Sequence, residues 1–188
     1  ALAFLARPSR WLTALHRHRG TLSPAPNFAF DLCVKRIADD ELAGLDLGRW
    51  RLALNGSESV SAGTIERFTR RFAAYGFRAE AMCPVYGLAE AAVGLTISPP
   101  GRGPRVDAVA RDVFERRRVA EPATPGDLAP ARFISCGRPL PEHDVRIVDA
   151  DGLTVGERVE GRIEFRGPSV TAGYFRKPEL TRAVVHDG

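Results

Sequence analysis

The first hundred residues alternate between helical and strand-like spacing of their apolar positions. Helical spacing predicts amphipathic helices from Pro8 to Arg19 and from Phe28 to Ala38. A third helix is predicted between Ser61, which is a favoured N-cap residue, and Gly76, which is a stop signal. Period-two alternation over Trp50–Leu54 predicts a strand between the second and third helices.

The segments between these helices complete the pattern. The proline-rich Ser23–Asn27 indicates a turn, and Asn55–Gly56 indicates a second turn. Ala79–Val85 is typical of a buried strand, and Leu88–Leu95 is predicted as the helix that follows it. This order of strand, turn and helix predicts an α/β fold, part of a parallel layered domain with right-handed crossovers.

Two short polar segments, Asn55–Glu58 and Tyr86–Glu90, directly follow predicted strands. Because ligands bind at the turns that follow the carboxyl ends of parallel strands, we expect the two segments to lie near each other. The second segment places an aromatic ring, a glycine turn and a carboxylate within five residues. Such a segment suits a nucleotide that carries a metal ion, although an aromatic-glycine turn is also common in proteins without one.

The pattern changes after Ser98. The segment 99–131 resembles a linker or an insertion, and its second half, 116–131, holds three prolines and little apolar content. Beyond it, period-two alternation predicts a small antiparallel sheet or barrel built from the strands Phe133–Cys136, Val145–Val148 and Arg162–Arg166. The predicted organisation is an α/β segment over 1–98, the linker or insertion over 99–131, and a truncated antiparallel β subdomain over 132–188.

Composition and charge exclude several classes of protein. A chain of 188 residues is long enough for one sizeable core or two small ones. Its content of 44% hydrophobic and 27% charged residues is ordinary for a globular protein. The net charge of +4 comes from arginines spread among acidic neighbours, and Lys35 and Lys177 are the only lysines. The one basic run, Arg116–Arg118, has no interleaved aromatic residues. No nucleic-acid partner is therefore predicted.

Cysteine usage and the chain's first residues bear on its cellular location. Cys33, Cys83 and Cys136 are odd in number and far apart, which favours reduced thiols in a cytoplasmic protein over a disulfide frame or a zinc site. The apolar opening Ala1–Ala6 is too short to span a bilayer, so no transmembrane segment is predicted. Because the chain begins with alanine and its only methionine is Met82, we expect it to be a piece of a longer protein.

Several motifs occur along the chain in the order found in one enzyme superfamily. They are Asn55–Glu58, Tyr86–Glu90, Cys136–Pro141, Gly161–Pro168, Gly173–Phe175 and Pro178–Thr181. Together they resemble the adenylate-forming superfamily of acyl-CoA synthetases, luciferases and peptide-synthetase adenylation domains. Within it, Ala25–Cys33, the Leu-Ala-Glu form of the central motif and Ser135–Pro141 look like the fatty acyl-AMP ligase branch.

The resemblance implies attack of a fatty carboxylate on the α-phosphate of ATP, which gives an acyl-adenylate and pyrophosphate. Such chemistry gains mainly from positioning and from countering charge on phosphate oxygens. By resemblance, Tyr86 would lie against adenine, and Gly87 would let the backbone approach the nucleotide. Glu90 is the implied catalytic residue and Mg²⁺ ligand. Leu88 and Ala89 belong to the same implied ATP-binding segment, but Ala89 stands where many members carry a phosphate-contacting threonine.

Each of these roles has a structural alternative. Tyr86 would serve equally as a core or rim tyrosine, Gly87 as a plain turn glycine, and Glu90 as a solvated or capping glutamate. By resemblance, Gly56, Ser57 and Glu58 would form a second wall of the adenine pocket, chiefly through backbone groups, with Asn55 beside them in the ATP-binding segment. A bare turn would have the same sequence.

Three further groups of residues receive looser assignments. Asn27 and Phe28 are implied to border the acyl tunnel. Gly173–Tyr174 is interpreted as a turn that sets the shape of the small sheet, and Arg138 and His143 are interpreted as structural.

The resemblance also implies partners and missing parts. The phosphate loop, the ribose-binding aspartate and the C-terminal lysine of the superfamily are expected outside these residues, so the isolated chain is predicted to be inactive. The implied acyl acceptor is an acyl carrier protein, or a polyketide synthase that holds one. Coenzyme A is the alternative acceptor, and it would make the parent a long-chain acyl-CoA ligase. The segment 116–131 lies where the fatty acyl-AMP ligase branch carries an insertion thought to discourage coenzyme A. A non-catalytic remnant with only a binding role is the third possibility.

Overall fold

The computed structural model of the protein describes residues 2–185. Its helices are α1 (Leu2–Ala6), α2 (Ser9–Arg17), α3 (Asn27–Arg36), α4 (Ala62–Phe72), α5 (Arg111–Arg117) and α6 (Pro178–Val184). Its strands are β1 (Leu22–Pro26), β2 (Leu52–Gly56), β3 (Met82–Tyr86), β4 (Thr96–Ile97), β5 (Val106–Val109), β6 (Ala131–Ile134), β7 (Arg138–Pro139), β8 (Asp144–Val148) and β9 (Arg162–Arg166).

Five of these strands form one mixed sheet in the order β1-β2-β3-β4-β7. Strands β1, β2 and β3 run parallel, with α3 joining the first two and α4 joining the second two. Strands β4 and β7 extend the sheet in antiparallel fashion. The predicted α/β fold with a parallel sheet is confirmed.

The core lies between the parallel strands and the helices α2, α3 and α4. Aromatic side chains dominate it: Trp50 is 1% exposed, and Phe30, Phe68 and Phe72 are fully buried. The ring centroid of Phe68 lies 5.0 Å from that of Phe30 and 5.0 Å from that of Phe77, both in edge-to-face geometry. Because large aromatic rings bury the most apolar surface per residue, this cluster supplies the main driving force for folding this half of the chain.

Helix α4 forms for the reasons that its sequence indicates. The hydroxyl of Ser61 accepts a hydrogen bond from the backbone N–H of Thr64 at 3.3 Å, which satisfies one free donor of the first turn. The apolar side chains of Ile65, Phe68 and Phe72 are buried on one face. The chain leaves the following short 3₁₀ turn at Gly76 with φ of +81°, a left-handed conformation that favours glycine. The predicted cap, face and stop of this helix are confirmed.

The prediction of a turn at Ser23–Asn27 was wrong. Residues Leu22–Pro26 form β1, which pairs with β2 in parallel. Proline has no backbone N–H, and a central strand needs its N–H groups to bond the neighbouring strands on both sides. Strand β1, however, is the edge strand of the sheet in the described part of the chain. An edge strand tolerates Pro24 and Pro26 because one of its sides needs no partner.

The prediction of a helix over Leu88–Leu95 was also wrong. Only a 3₁₀ turn forms, over Ala89–Ala91, and the chain then reverses into β4. The backbone N–H of Leu95 donates to the carbonyl of Tyr86 at 3.1 Å, and Tyr86 pairs with Thr96. Pairing with β3 therefore outweighs the helix propensity of the alanines between them.

The boundaries of β2 differ from the predicted Trp50–Leu54. The strand runs from Leu52 to Gly56, so the predicted turn at Asn55–Gly56 is its last two residues. The turn itself begins at Ser57, whose φ is +65°.

The second half of the chain contains small antiparallel sheets, as predicted. They are two separate two-stranded ribbons within residues 2–185, β5 with β6 and β8 with β9, rather than one closed barrel. The segment 99–131 contributes β5 and α5, and β7 from the following segment joins the main sheet. The division into three segments stays a prediction, and residues 186–188 at the end of the third lie outside the described residues. No helix within residues 2–185 is both long enough and apolar enough to cross a bilayer.

Candidate active site

The three parallel strands end at the same edge of the sheet. Strand β1 ends at Pro26, β2 at Gly56 and β3 at Tyr86, and Pro26 is the register partner of Gly56. The sequence-predicted site residues lie at the ends of β2 and β3, at the start of α3 and in the turns after β2 and β3. The structure therefore places the acyl-site, adenine-site and metal-site predictions along one edge, where open α/β sheets bind their ligands.

Side-chain hydrogen bonds join the first two turns. The backbone N–H of Phe28 donates to Glu58 Oε1 at 2.5 Å, and the backbone N–H of Ser61 donates to Asn27 Oδ1 at 3.1 Å. The carboxylate of Glu58 thereby caps the first turn of α3, where the helix dipole favours a negative charge. Its side chain is engaged within the protein, so the Ser57–Glu58 turn presents mainly backbone groups to a ligand.

Asn55 lies inside the protein rather than on the surface of the site. Its side chain is fully buried, and its amide nitrogen lies 4.0 Å from the Met82 sulfur. Its amide oxygen has no hydrogen-bond partner within the described residues. An unsatisfied buried acceptor is unusual and costs free energy. The side chain of Asn55 therefore lies beneath this edge and is not exposed to a ligand there.

Two predicted site glycines are required by the packing of the chain on itself. A Cβ atom at Gly56 would lie 2.8 Å from the carbonyl oxygen of Val85, and one at Gly87 would lie 1.7 Å from that of Val93. Both distances are too short for a side chain. The glycines thus bring β2 and the Val93 loop close to β3 whether or not a nucleotide is bound.

The loop after Gly87 carries backbone strain. Ala92 has φ of +47° and Val93 has φ of +76°, and a β-branched residue is rarely found in this left-handed region. The carbonyl of Leu88 holds the loop by accepting hydrogen bonds from the N–H groups of Ala91 and Val93, both at 3.0 Å. Strained backbone that the surrounding structure maintains often lies at functional sites.

Glu90 projects from this loop and is held by a distant part of the chain. The hydroxyl of Tyr174 donates to Glu90 Oε1 at 2.5 Å, and the N–H of Thr171 donates to the Glu90 carbonyl at 2.8 Å. The phenol hydrogen bond holds the pKa of Glu90 below its ordinary value, and the same bond raises the pKa of Tyr174. Glu90 is therefore an ionised carboxylate at neutral pH.

The residues around Glu90 fit a magnesium ion that arrives with a nucleotide. No group of three or more His, Cys, Asp or Glu side chains that would hold a metal is present in residues 2–185. Magnesium in proteins is commonly bound by one or two carboxylates, with phosphate oxygens and water filling its other positions. A single ionised carboxylate at the ligand edge suits that kind of site and does not suit a closed structural metal centre.

The contact from Tyr174 is the feature of the candidate site that sequence reasoning missed. Gly173–Tyr174 was interpreted as a turn, and Gly173 does have φ of +141°. The role of the tyrosine hydroxyl has no local sequence signal, because 84 residues separate it from Glu90. His143, interpreted as structural, lies 2.6 Å through Nε2 from Ser169 Oγ in the same segment. Arg138 is exposed in β7.

Two shallow cavities lie away from this edge. One, of about 330 Å³, is lined by residues that precede β1 and β2, among them Gly20, Arg49 and Trp50. The other, of about 350 Å³, lies between α5 and β6. Neither contains a predicted site residue. The candidate site lies instead at the edge where β1, β2 and β3 end.

The family of the chain follows from its similarity to known proteins. A family model described as "AMP-binding enzyme" matches residues 2–175. The chain belongs to the AMP-binding enzyme family. Three known proteins illustrate what the chain is similar to.

Two relatives and one solved structure match almost the whole chain. A 4-hydroxyphenylalkanoate adenylyltransferase of Mycobacterium tuberculosis is 41% identical over 97% of this chain and 29% of its own length. A medium-chain-fatty-acid–[acyl-carrier-protein] ligase of Teredinibacter turnerae is 38% identical over 98% of this chain and 28% of its own. The crystal structure of a fatty acyl-adenylate ligase from L. pneumophila, in complex with acyl adenylate and pyrophosphate, superposes with a TM-score of 0.89 at 37% identity. That match covers 96% of this chain and 31% of the other. The chain therefore spans less than a third of the length of these proteins.

Proposed function

We propose that this AMP-binding enzyme activates a fatty acid in its full-length form. The carboxylate oxygen attacks the α-phosphate of ATP, the bond between the α- and β-phosphates breaks, and acyl-adenylate and pyrophosphate form. The observation that carries the proposal is the ionised Glu90 at the carboxyl edge of three parallel strands, in a chain that resembles a ligase seen with both products. An edge of this kind positions substrates, which is the main source of rate for phosphoryl chemistry.

The residues at the edge have complementary roles in this proposal. Tyr86 offers an aromatic ring at the end of β3 on which adenine would stack. The second wall of the adenine pocket would consist of backbone groups of Gly56, Ser57 and Glu58. Phe28 is 47% exposed beside Asn27 at the start of α3, and it offers an apolar surface to the acyl chain.

Glu90 is the residue that would hold Mg²⁺. When bound, the ion supplies positive charge to the phosphate oxygens. The carboxylate contributes by staying ionised and by keeping a fixed orientation, while Gly87, Leu88 and Ala89 separate it from Tyr86 at the end of β3. Ala89 has no hydroxyl, so its contact with phosphate would come from the backbone N–H.

The acceptor of the acyl group is proposed to be an acyl carrier protein, free or within a polyketide synthase. The support is the printed activity of the Teredinibacter turnerae relative. Coenzyme A is the competing acceptor. A 4-hydroxyphenylalkanoate is the competing acid, because the Mycobacterium tuberculosis relative takes its name from that class.

The decisive experiment measures ATP–pyrophosphate exchange by the full-length protein with fatty acids and with 4-hydroxyphenylalkanoates. Exchange with fatty acids is expected, and Glu90→Gln should lower it by about 100-fold or more, in line with the loss of a key electrostatic contact. Glu80→Gln removes an exposed carboxylate away from the edge and should leave exchange unchanged. Thioester formation with coenzyme A and with a carrier protein then identifies the acceptor. No exchange with any acid would overturn the proposal and favour a non-catalytic remnant.

Two finer proposals concern the chain itself. Residues 1–188 alone are proposed to be inactive, because this length is under a third of the relatives' length. ATP–pyrophosphate exchange by the isolated chain would contradict this.

A cytoplasmic location is proposed because Cys33, Cys83 and Cys136 are all free thiols. Burial raises the pKa of each thiol, that of Cys33 to about 12, so they stay protonated and unreactive.

A further inference from the structure

The segment that follows β9 packs against the Glu90 loop at three points. The hydroxyl of Tyr174 donates to Glu90 Oε1, and the N–H of Thr171 donates to the Glu90 carbonyl. The hydroxyl of Ser169 donates to the carbonyl of Ala91 at 3.2 Å. These contacts hold both the backbone and the side chain of Glu90 from outside its own loop.

The segment is itself well supported. The N–H of Tyr174 donates to the hydroxyl of Thr181 in α6 at 2.9 Å, and that hydroxyl donates to the carbonyl of Lys177 at 3.0 Å. Gly173 has no room for a side chain, since a Cβ atom there would lie 2.4 Å from the Thr181 methyl group. The backbone at Tyr174 is thus held by α6 independently of Glu90, while its side chain is 38% exposed and makes its hydrogen bond to Glu90.

The phenol occupies only one of the two carboxylate oxygens. No other side chain within the described residues donates to the Glu90 carboxylate, whose second donor is the backbone N–H of Glu90 itself. A neutral hydroxyl donor also leaves the negative charge of the carboxylate in place, whereas a lysine or arginine partner would neutralise it. Because an ionised carboxylate has about four lone-pair sites and only two donors contact this one, acceptor positions stay available to a cation.

We propose that Tyr174 is a positioning residue for Glu90, holding Oε1 so that Oε2 binds the divalent cation carried by the ATP phosphates. This inference rests on the proposed function. The interaction is of the kind that orients metal ligands in other proteins, where loss of the supporting hydrogen bond lowers metal affinity by about 10- to 100-fold.

The test uses calorimetric titration of the full-length protein with α,β-methylene-ATP, which is not cleaved between its α- and β-phosphates. Titrations with and without Mg²⁺ give the gain in affinity that the ion provides. Tyr174→Phe keeps the ring and removes only the hydroxyl, and it should reduce this gain by about 10-fold or more. Affinity for the analogue without Mg²⁺ should be unchanged. Tyr75→Phe, a tyrosine packed against the core, is the matched control and should leave the gain unchanged.

Kinetics give a second readout of the same effect. In ATP–pyrophosphate exchange, Tyr174→Phe should raise the KM for MgATP. At saturating Mg²⁺ its kcat should equal that of the unchanged protein, because Glu90 is still present. The double variant Glu90→Gln with Tyr174→Phe should bind like Glu90→Gln alone, since the phenol acts through the carboxylate. Thermal unfolding of each variant shows that it is folded.

The outcomes separate this inference from the proposed function. If Glu90→Gln abolishes the Mg²⁺ gain while Tyr174→Phe retains it, only the role of Tyr174 is overturned. If Tyr174→Phe weakens binding equally with and without Mg²⁺, the hydroxyl acts on the fold or the nucleotide and the inference is also overturned. If Glu90→Gln leaves the Mg²⁺ gain intact, the metal assignment fails and the role of Tyr174 fails with it.

Discussion

Gly87 shows at the scale of one residue how the site loop is kept close to β3. A Cβ atom there would lie 1.7 Å from the Val93 carbonyl oxygen, and backbone atoms cannot move aside as a flexible side chain does. Gly87→Ala should therefore destabilise the 188-residue chain by about 3 kcal/mol, at the upper end of overpacking effects. The change is measured as a shift in the urea unfolding midpoint.

Gly156→Ala is the matched control for this prediction. No atom lies within 4 Å of a Cβ at Gly156, and its φ is not in the left-handed region. Its effect should stay within about 0.5 kcal/mol. Equal stability of the two variants would show that the Val93 loop moves freely and does not depend on Gly87.

Sequence predicts single residues well where their role is local. Ser61 was recognisable as a cap because the hydroxyl and the N–H of Thr64 are three residues apart, and Gly76 was recognisable as a stop. Tyr174 and Asn55 depend on distant partners. The hydroxyl of Tyr174 meets a residue 84 positions away, and the burial of Asn55 results from the packing of the sheet. No spacing rule describes either relation.

At the scale of elements, the side chain of Arg71 in α4 caps the C-terminal end of α3. Its guanidinium donates to the carbonyls of Val34 and Ile37, both at 2.5 Å, and it pairs with Asp39 at 2.7 Å. The last carbonyls of a helix have no partner within the helix, and a cation is favoured there. The side chain of Arg71 is only 23% exposed, so these hydrogen bonds are partly shielded from water.

Arg71→Met keeps much of the apolar stem and removes the donors, so it should lower the free energy of unfolding by about 2 kcal/mol. Arg70→Met, on the same helix but exposed, should change it by less than about 0.5 kcal/mol. Both values come from urea unfolding of the 188-residue chain. Similar losses in the two variants would mean that charge on α4, rather than the cap on α3, determines the effect.

Some helices and strands were predicted correctly from the sequence and others were not. The spacing of Phe68 and Phe72 is a strong signal because a helix with one apolar face has few alternatives. Strand β1 was missed because its prolines indicate a turn, and only its edge position in the sheet makes them acceptable. The helix expected over Leu88–Leu95 failed for a related reason, since β3 supplies a strand partner that local propensity does not include.

For the whole molecule, the sequence predicted the class of fold and the common edge at which the candidate site residues lie, but not how the second half of the chain is joined to the first. The short strand β7 enters the main sheet beside β4, and the segment after β9 reaches back to Glu90. Both connections are long-range pairings between segments of different pattern. They connect the antiparallel part of the chain to the Glu90 loop, so both halves contribute residues to the candidate site.

The two halves should nevertheless differ in local stability. The buried cluster around Trp50 and Phe68 belongs almost entirely to residues before Cys83, whereas the β8–β9 ribbon buries Val148 fully and leaves Ile163 38% exposed. A two-stranded ribbon is marginal without a large apolar face. Native-state hydrogen exchange of the 188-residue chain should therefore show protection factors roughly 100-fold lower in β9 than in β2, or about 2.7 kcal/mol less opening free energy. Mass spectrometry of peptides covering the two strands measures the difference. Equal protection would mean that the contacts of Thr171 and Tyr174 with Glu90 couple the ribbon to the sheet in one cooperative unit.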